Sequence, residues 1–257
     1  MTSLPELTEP QIRRYARHIV LAEIGGLGQA RLIAARVLVI GAGGLGAPLL
    51  QYLAAAGIGT LGVIDHDRVD LSNLQRQVIH RTADIGASKV LSARRALLDI
   101  NPEVEVTAHD ERLAADNAER IVAGYDIVAD GSDNFATRYL LNDLCYRLKK
   151  ILVSAAILRF DGQISTYKAW QGAGHPCLRC IFPQAPSEDA VPSCAQAGVL
   201  GALAGTLGAL QATEVVKEIL GIGQSLSGRL LMYDALAGSF DEMAIAKRPG
   251  CPTCGSA

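Results

Sequence analysis

A glycine-rich motif, Gly-Ala-Gly-Gly-Leu-Gly, lies at residues 41–46. It fits the pattern G-x-G-x-x-G, it follows a β-branched apolar run at residues 36–40, and it opens a stretch with helical spacing. In that context the glycines let the backbone approach a phosphate, and the helix N-terminus offers N–H groups and a partial positive charge. These glycines are Gly41, Gly43, Gly44 and Gly46. The motif predicts nucleotide binding in preference to a tight turn without a ligand, and it leaves a dinucleotide oxidoreductase open as the alternative.

A polar loop follows the second predicted strand. Asp65 ends that strand, at the position where an acid binds a ribose hydroxyl in this type of fold. The further nucleotide-binding candidates are Asp67, Ser72, Asn73, Gln75, Arg76 and Lys89. Cationic and amide side chains neutralise a triphosphate and its transition state better than they serve hydride transfer. The loop therefore favours phosphate chemistry, although a solvated surface position is the alternative for each residue taken singly.

A second acidic segment, Asp130-Gly-Ser-Asp133-Asn134, follows a predicted strand that ends at Ala129. Its side chains are expected at the carboxyl edge of the sheet, where ligands bind in this architecture. Asp133 is a candidate Mg²⁺ ligand, and Asn134 is a candidate nucleotide contact beside it. The alternative for Asp133 is a role as the N-cap of the next helix.

Four of the six cysteines form two Cys-x-x-Cys pairs, Cys177 with Cys180 and Cys251 with Cys254. Two such pairs supply four thiolates, the ligand set of a closed and therefore structural zinc site. A redox dithiol is the alternative for one pair. We expect zinc to fasten the segment around Cys251 to the region around Cys177.

Two cysteines and five histidines lie outside these patterns. Cys145 is interpreted as a core residue of a helix. Cys194 lies in the segment 182–196, which is rich in proline, serine and acids and is interpreted as a long mobile loop, so it is the candidate for a reactive thiol. An inert loop cysteine is the alternative for Cys194. The histidines show no paired spacing and are interpreted as surface or locally hydrogen-bonded residues: His18, His66, His80, His109 and His175.

The elements that must position these residues alternate between strand and helix. Strands are predicted at 36–40, 61–65, 104–108, 126–129 and 151–155, with helices up to about residue 57 and near 84–100, 114–122 and 134–149. This order predicts an α/β protein with a Rossmann-like, mostly parallel sheet. Strands at 162–169, 229–234 and 240–246 are expected to add an antiparallel extension, with a long helix at about 198–220. The chain is thus expected to be a single domain over 1–257, with N-terminal helices at 8–34, a nucleotide-binding part at 35–155 and a partner-binding and zinc part at 156–257.

Composition excludes several other classes of protein. The chain is 49% hydrophobic and carries a formal net charge of only −2, so general nucleic-acid binding is not expected. The first residues are polar and contain prolines, which does not fit a signal peptide, and the most apolar later stretch is broken by glycines and charges. A cytoplasmic protein without a membrane span is therefore expected.

The motifs together resemble the MoeB, ThiF and HesA group, relatives of the ubiquitin-activating enzymes, from about residue 11 to residue 254. The resemblance includes RRYARHI from Arg13, GAGGLG from Gly41, DHDRVDLSNLQRQ from Asp65, Lys89, DGSDN from Asp130, SCAQAGVLG from Ser193 and the paired cysteines. Ala202 stands where relatives often have proline after the AGV-x-G stretch.

The resemblance implies an ATP-dependent adenylyltransferase. Its substrate would be the C-terminal Gly-Gly carboxylate of a ubiquitin-like sulfur carrier, for molybdopterin cofactor synthesis. A carrier of thiamine synthesis or of tRNA thiolation is the alternative. Asn73, Arg76 and Lys89 would stabilise phosphate charge, Asp65 would bind the ribose and Asp133 would place Mg²⁺. Arg17 would reach the nucleotide of the other subunit in a homodimer, and Cys194 matches a reactive cysteine. No rhodanese-like domain is found after the second cysteine pair, so a separate sulfur donor is expected. An oxidoreductase and a non-catalytic binding module are the alternatives from other classes.

Overall fold

The fold is that of a computed structural model, in which residues 4–184 and 197–255 are described. Eight strands form one sheet in the order β3-β2-β1-β4-β5-β6-β7-β8. They are β1 (Arg36–Ile40), β2 (Thr60–Ile64), β3 (Glu105–His109), β4 (Ile127–Asp130), β5 (Ile151–Leu158), β6 (Asp161–Tyr167), β7 (Arg229–Asp234) and β8 (Ser239–Ala244). The first five strands pair in parallel and the last three extend the sheet in antiparallel pairs. The predicted mostly parallel α/β sheet with an antiparallel extension is confirmed.

Helices cover both faces of the parallel part of the sheet. They are α1 (Glu9–Arg14), α2 (Ala16–Ile19), α3 (Gly25–Ala34), α4 (Gly46–Ala56), α5 (Lys89–Ile100), α6 (Ala118–Val122), α7 (Phe135–Arg147), α8 (Leu178–Ile181) and α9 (Gly201–Leu220). Two predicted helices begin later than their sequence pattern indicated. Residue 84 belongs to a short 3₁₀ turn, and Gly86 with φ +86° separates that turn from α5. Asn117 Oδ1 accepts a hydrogen bond from the Ala114 N–H, which closes a turn before α6.

Alternation along β1 divides the core into two layers. Val37 and Val39 pack among residues of α4, α5 and α9, whereas Leu38 and Ile40 pack among residues of α6 and α7. Successive side chains of a strand point to opposite faces, so a continuous apolar run is what a strand buried on both faces requires. The helices within residues 4–184 and 197–255 are each too short or too polar to span a lipid bilayer.

The strand order reverses direction at β1. The chain moves from β1 outward to β2 and β3, then returns to place β4 on the other side of β1. Loops after neighbouring strands diverge at such a switch point and leave a crevice at the carboxyl edge of the sheet. The glycine motif after β1 and the acidic segment after β4 both lie at this edge.

Candidate active site

The glycine motif forms a tight turn between β1 and α4. Gly41 has φ +89°, in the left-handed region that favours glycine. A methyl group on Gly46 would lie 1.9 Å from the Gly41 carbonyl oxygen, so no larger residue fits there without moving the backbone. A methyl group on Gly41 would lie 3.4 Å from the Gly131 carbonyl oxygen, which brings the loops after β1 and β4 into contact. The predicted strand–turn–helix context of the motif is confirmed.

Asp65 fastens the glycine turn to the loop after β2. Its two carboxylate oxygens accept hydrogen bonds at 2.9 Å, one from the Ala42 N–H and one from the Asp67 N–H. Each oxygen keeps a further lone pair, so the carboxylate can still accept a hydrogen bond from a ligand hydroxyl. Asp65 is therefore preorganised by the backbone at the position where the sequence predicts ribose binding.

Lys89 begins α5 with a buried side chain. Its ammonium lies 2.8 Å from a carboxylate oxygen of Asp67, and its side chain is 5% exposed against 53% for Asp67. Burial raises the pKa of Asp67, but the hydrogen bond and charge of Lys89, with His66 nearby, hold that pKa below its usual range. The ammonium is held by Asp67 at the end of the loop.

Residues 72–77 fold back over the glycine turn. Asn73 Nδ2 lies 3.1 Å from Ser72 Oγ, and Arg76 donates a hydrogen bond of 3.3 Å to the Ser72 carbonyl. Methyl groups on Gly43 and Gly44 would lie 3.7 Å from Gln77 Nε2 and 3.4 Å from Arg76 Cδ. Gln75 is exposed, and its backbone carbonyl closely approaches Gly201 at the start of α9. The candidates from the loop after β2 thus lie beside the glycine turn.

The acidic segment after β4 contains one buried and one exposed carboxylate. Asp130 is fully buried and accepts hydrogen bonds from the Ser132 N–H and from the Ser154 hydroxyl. Asp133 is exposed and follows the end of β4 by three residues. The N-cap of α7 is Asn134, whose side chain accepts a hydrogen bond of 2.9 Å from the Thr137 N–H. The interpretation of Asp133 as that cap is wrong, because Asn134 is the residue with extended backbone before the first helical turn.

Two sequence candidates are not brought to this crevice. Arg17 lies on α2, where His18 contacts Gln29 at 3.1 Å and Gln29 donates a hydrogen bond to the Ala56 carbonyl at the far end of α4. Because α4 begins at the glycine turn and has 11 residues, roughly 16 Å of helix separates the Gln29–Ala56 contact, next to α2, from that turn. Cys194 and most of the predicted loop 182–196 lie outside the described residues.

The four cysteines come together away from the crevice. Their sulfur atoms all lie within 4.8 Å of one another, with 3.5 Å between Cys177 and Cys251 and 3.4 Å between Cys180 and Cys254. Tetrahedral zinc at about 2.3 Å from each sulfur separates ligand sulfurs by about 3.8 Å, so the donor set and spacing fit that metal. Burial opposes ionisation of Cys251, but N–H groups of Cys254 and Thr253 lower its pKa to about 7.

Some residues of the site were missed by sequence reasoning. His80 is buried beneath the glycine turn, not on the surface, and its ring contacts the Ala42 carbonyl at 2.9 Å. Asn142 and Asp143 on α7 contact both cysteine segments through Leu178, Arg179 and Thr253. These partners lie 36 or more residues apart in sequence, so no local spacing pattern could have indicated them.

Comparisons with known proteins agree with this geometry. Residues 15–253 match the ThiF family. The chain is 49% identical over 250 residues to a sulfur carrier protein adenylyltransferase of Thermus thermophilus, covering 96% of this chain and 92% of that protein. It is 50% identical over 250 residues to a SAMP-activating enzyme E1 of Haloferax volcanii, covering 97% and 91%. The crystal structure of E. coli MccB with ATP shares the fold, with a TM-score of 0.82 at 23% identity over 94% of this chain and 73% of that one.

Proposed function

Since this chain belongs to the ThiF family and is an adenylyltransferase, we propose that it activates the C-terminal carboxylate of a ubiquitin-like sulfur carrier protein that ends in Gly-Gly. The observation that carries the proposal is the convergence of three loops at one crevice. They are the glycine turn, the loop with Asp65 and Arg76, and the segment with Asp133. Relatives that carry the names of a sulfur carrier adenylyltransferase and a SAMP-activating enzyme support the choice of a protein carboxylate. Residues 1–257 then work as one adenylating unit.

The chemistry of the proposal is a displacement at the α-phosphorus of ATP. A carboxylate oxygen of the terminal glycine forms the new P–O bond, the bond between the α-phosphorus and the bridging oxygen breaks, and pyrophosphate leaves with the electron pair. The products are an acyl-adenylate and pyrophosphate, and no proton is required for the displacement itself. The negative charge that builds up on the phosphates is the quantity that the site must stabilise.

The residues of the crevice have separate roles in this proposal. Gly43 and Gly44 leave room for phosphate, Asp65 accepts a hydrogen bond from the ribose, and the cations of Arg76 and Lys89 face the developing charge. The same side of the crevice also contains Asn73, with Ser72 and Gln75 beside it. Asp67 orients Lys89, whose ammonium lies 2.8 Å from its carboxylate. Asp133 and Asn134 lie opposite, and a carboxylate there suits Mg²⁺, which binds oxygen ligands and shields phosphate charge.

Arg17 has a role only if two chains associate. It lies at the far end of α4, so it cannot contact the nucleotide of its own chain without a large rearrangement. We therefore place it in the crevice of a second copy, as part of a homodimer. Cys194 is the proposed reactive thiol, and sulfur would come from a separate donor.

Zinc has a structural role in the proposal. Four cysteine sulfurs fill a tetrahedral shell and leave no open position for a substrate. Metal bound there would hold the segment at Cys251 and Cys254 against α8. No step of the adenylation passes through it.

The finer proposal is that the carrier serves molybdopterin cofactor synthesis. Carriers for thiamine synthesis or tRNA thiolation are the alternatives, and all share the same terminal chemistry. Purified carriers of the three kinds, assayed separately, would rank them by kcat/KM.

The proposed function is tested by carrier-dependent exchange of labelled pyrophosphate into ATP. We expect exchange with a carrier ending in Gly-Gly and none with the same carrier lacking its last glycine. Arg76→Ala should abolish most of the exchange, whereas Arg94→Ala, on the exposed face of α5, should not change it. Lack of exchange with every Gly-Gly carrier, while ATP still binds, would contradict the choice of substrate. Tight NADH binding without ATP binding would favour the oxidoreductase, and partner function that survives Asp133→Ala would favour a binding module.

A further inference from the structure

A buried chain of polar side chains lies beneath the glycine turn. His80, Ser92 and Asp84 are 6%, 2% and 5% exposed. The His80 ring contacts the Ala42 carbonyl oxygen through Nε2 and Ser92 Oγ through Nδ1, both at 2.9 Å, and Ser92 Oγ lies 2.8 Å from Asp84 Oδ2. Burying three polar groups costs free energy unless each is hydrogen-bonded, and here each one is.

The far end of this chain is firmly fixed. Asp84 also accepts a hydrogen bond of 3.0 Å from the Arg81 N–H and pairs with the Arg95 guanidinium. Ser92 and Arg95 both belong to α5, so the ring of His80 is braced against a helix of 12 residues. A group held in this way can fix the position of whatever its other nitrogen contacts.

The direction of the hydrogen bond to Ala42 follows from chemistry. A carbonyl oxygen only accepts, so His80 Nε2 carries a proton and donates it. Burial lowers the pKa of His80, Lys89 lowers it further, and the Ala42 carbonyl, Asp65 and Asp84 raise it, with a net shift downward. The nitrogen that faces the glycine turn therefore carries a proton whether the ring is neutral or charged.

The two peptide groups that flank Ala42 are held by different partners. The Ala42 N–H donates to Asp65, and the Ala42 carbonyl accepts from His80. In a trans peptide the N–H points away from the C=O of the same unit, so fixing the Ala42 carbonyl also fixes the Gly43 N–H in the opposite direction. That N–H has no acceptor within residues 4–184 and 197–255.

We propose that His80 is a positioning residue that aims the Gly43 N–H into the crevice, where it donates a hydrogen bond to a phosphate oxygen of the nucleotide. The proposal rests on the proposed nucleotide site, because it assigns a phosphate to the free N–H. His80 does not touch the nucleotide. It acts through the Ala42 carbonyl, and Ser92 and Asp84 keep its ring in place.

Two substitutions separate positioning from simple packing. In His80→Gln the side-chain amide nitrogen can reach the place of Nε2 and still donate to Ala42. In His80→Asn the shorter amide reaches only the place of Nδ1, so the bond to Ala42 is lost while a polar group stays near Ser92. Calorimetric titration with ATP, in the absence of carrier, measures the dissociation constant of ATP. We expect this constant to rise about tenfold in His80→Asn and to stay within about twofold of the wild-type value in His80→Gln.

The amide signal of Gly43 in NMR spectra provides a second readout. On addition of ATP the chemical shift of this amide should change in the wild-type protein and in His80→Gln, and much less in His80→Asn. Equal loss of ATP affinity in both variants, or unchanged affinity in His80→Asn, would overturn the positioning role. If His80→Asn does not fold, Ser92→Ala, which frees the ring from Asp84, should still weaken ATP binding measurably, and unchanged affinity there counts against the proposal. An unchanged protein that binds no ATP would instead contradict the proposed function.

Discussion

Replacing Lys89 with methionine tests the central electrostatic claim about the crevice. Methionine has nearly the same length, so the buried space is filled and only the charge is removed. In the proposed function this ammonium faces the phosphate charge that grows in the transition state. Loss of one such donor reduces kcat by about 10²- to 10³-fold, and we expect that reduction in carrier-dependent pyrophosphate exchange.

The stability of Lys89→Met should change far less than its activity. The ammonium and the Asp67 carboxylate are 2.8 Å apart, which gives an attraction of about 6 kcal/mol at an effective dielectric constant of about 20. Taking the ammonium out of water costs several kcal/mol, and Asp67 is half exposed, so most of that attraction is offset. We expect a change in the free energy of unfolding of about 1 kcal/mol or less, measured by urea denaturation.

The difference in the free energy of unfolding between the wild-type protein and Lys89→Met changes with pH in a definite direction. The pKa of Asp67 is lowered in the folded protein, so the stability it contributes is present above the unfolded pKa and is lost as the pH falls through the folded pKa. The stability gap between the unchanged protein and Lys89→Met should therefore narrow as the pH falls below about 4. A variant that folds and keeps kcat within about threefold would refute the role of Lys89, with Arg94→Met on the same helix as the control.

Three further changes test other parts of the structure. Gly46→Ala should lower the free energy of unfolding by about 2 kcal/mol or more, because its methyl group would meet the Gly41 carbonyl. The control is Gly205→Ala on α9, which has open space around it and should be neutral or stabilising. Urea denaturation measures both. Mass spectrometry of the native protein should find one zinc per chain, and Cys254→Ser should lose it and lower the melting temperature; full zinc occupancy in Cys254→Ser would contradict the four-cysteine site. An equal mixture of Arg17→Ala and Lys89→Met chains, allowed to exchange subunits, should recover about a quarter of the normal exchange activity if Arg17 acts across a dimer. Recovery of none would place Arg17 outside the partner's site.

Local patterns in the sequence were enough to predict most of the sheet and part of the crevice. The glycine motif and the Cys-x-x-Cys pairs are short, and each specifies its own geometry through backbone freedom or ligand spacing. The β-branched runs predict strands because those residues suit a sheet buried on both faces. The carboxyl ends of parallel strands meet at one edge, which is why Asp65 and Asp133 could be assigned to the same side.

What the sequence could not predict depends on contacts between distant segments. His80 has no motif around it, and only the folded chain brings it to Ala42, 38 residues earlier. Asp133 and Asn134 are both good N-cap residues, so backbone dihedral angles rather than residue type decide which one caps α7. The far position of Arg17 is set by the packing of α2 on α3, which no spacing pattern records.

Two separate networks position the two sides of the crevice. The glycine turn is held by Asp65 and by His80, whose further partners lie on α5. The segment with Asp133 leads into α7, and α7 is held at its middle by Asn142, which accepts from the Leu178 N–H, and by Asp143.

Both cysteine segments form hydrogen bonds to the same turn of α7. Arg179 forms three hydrogen bonds to Asp143, at 2.9, 3.3 and 2.7 Å, and the Thr253 hydroxyl donates to the same carboxylate. Loss of the proposed zinc would release these contacts and leave the glycine turn untouched, since the hydrogen bonds of the two networks have no residue in common. Energies of changes without shared partners add, so chelation and His80→Asn should lower stability by independent amounts. A coupling above about 0.5 kcal/mol between them, measured by unfolding each protein with and without chelator, would show that the metal site and the glycine turn are linked.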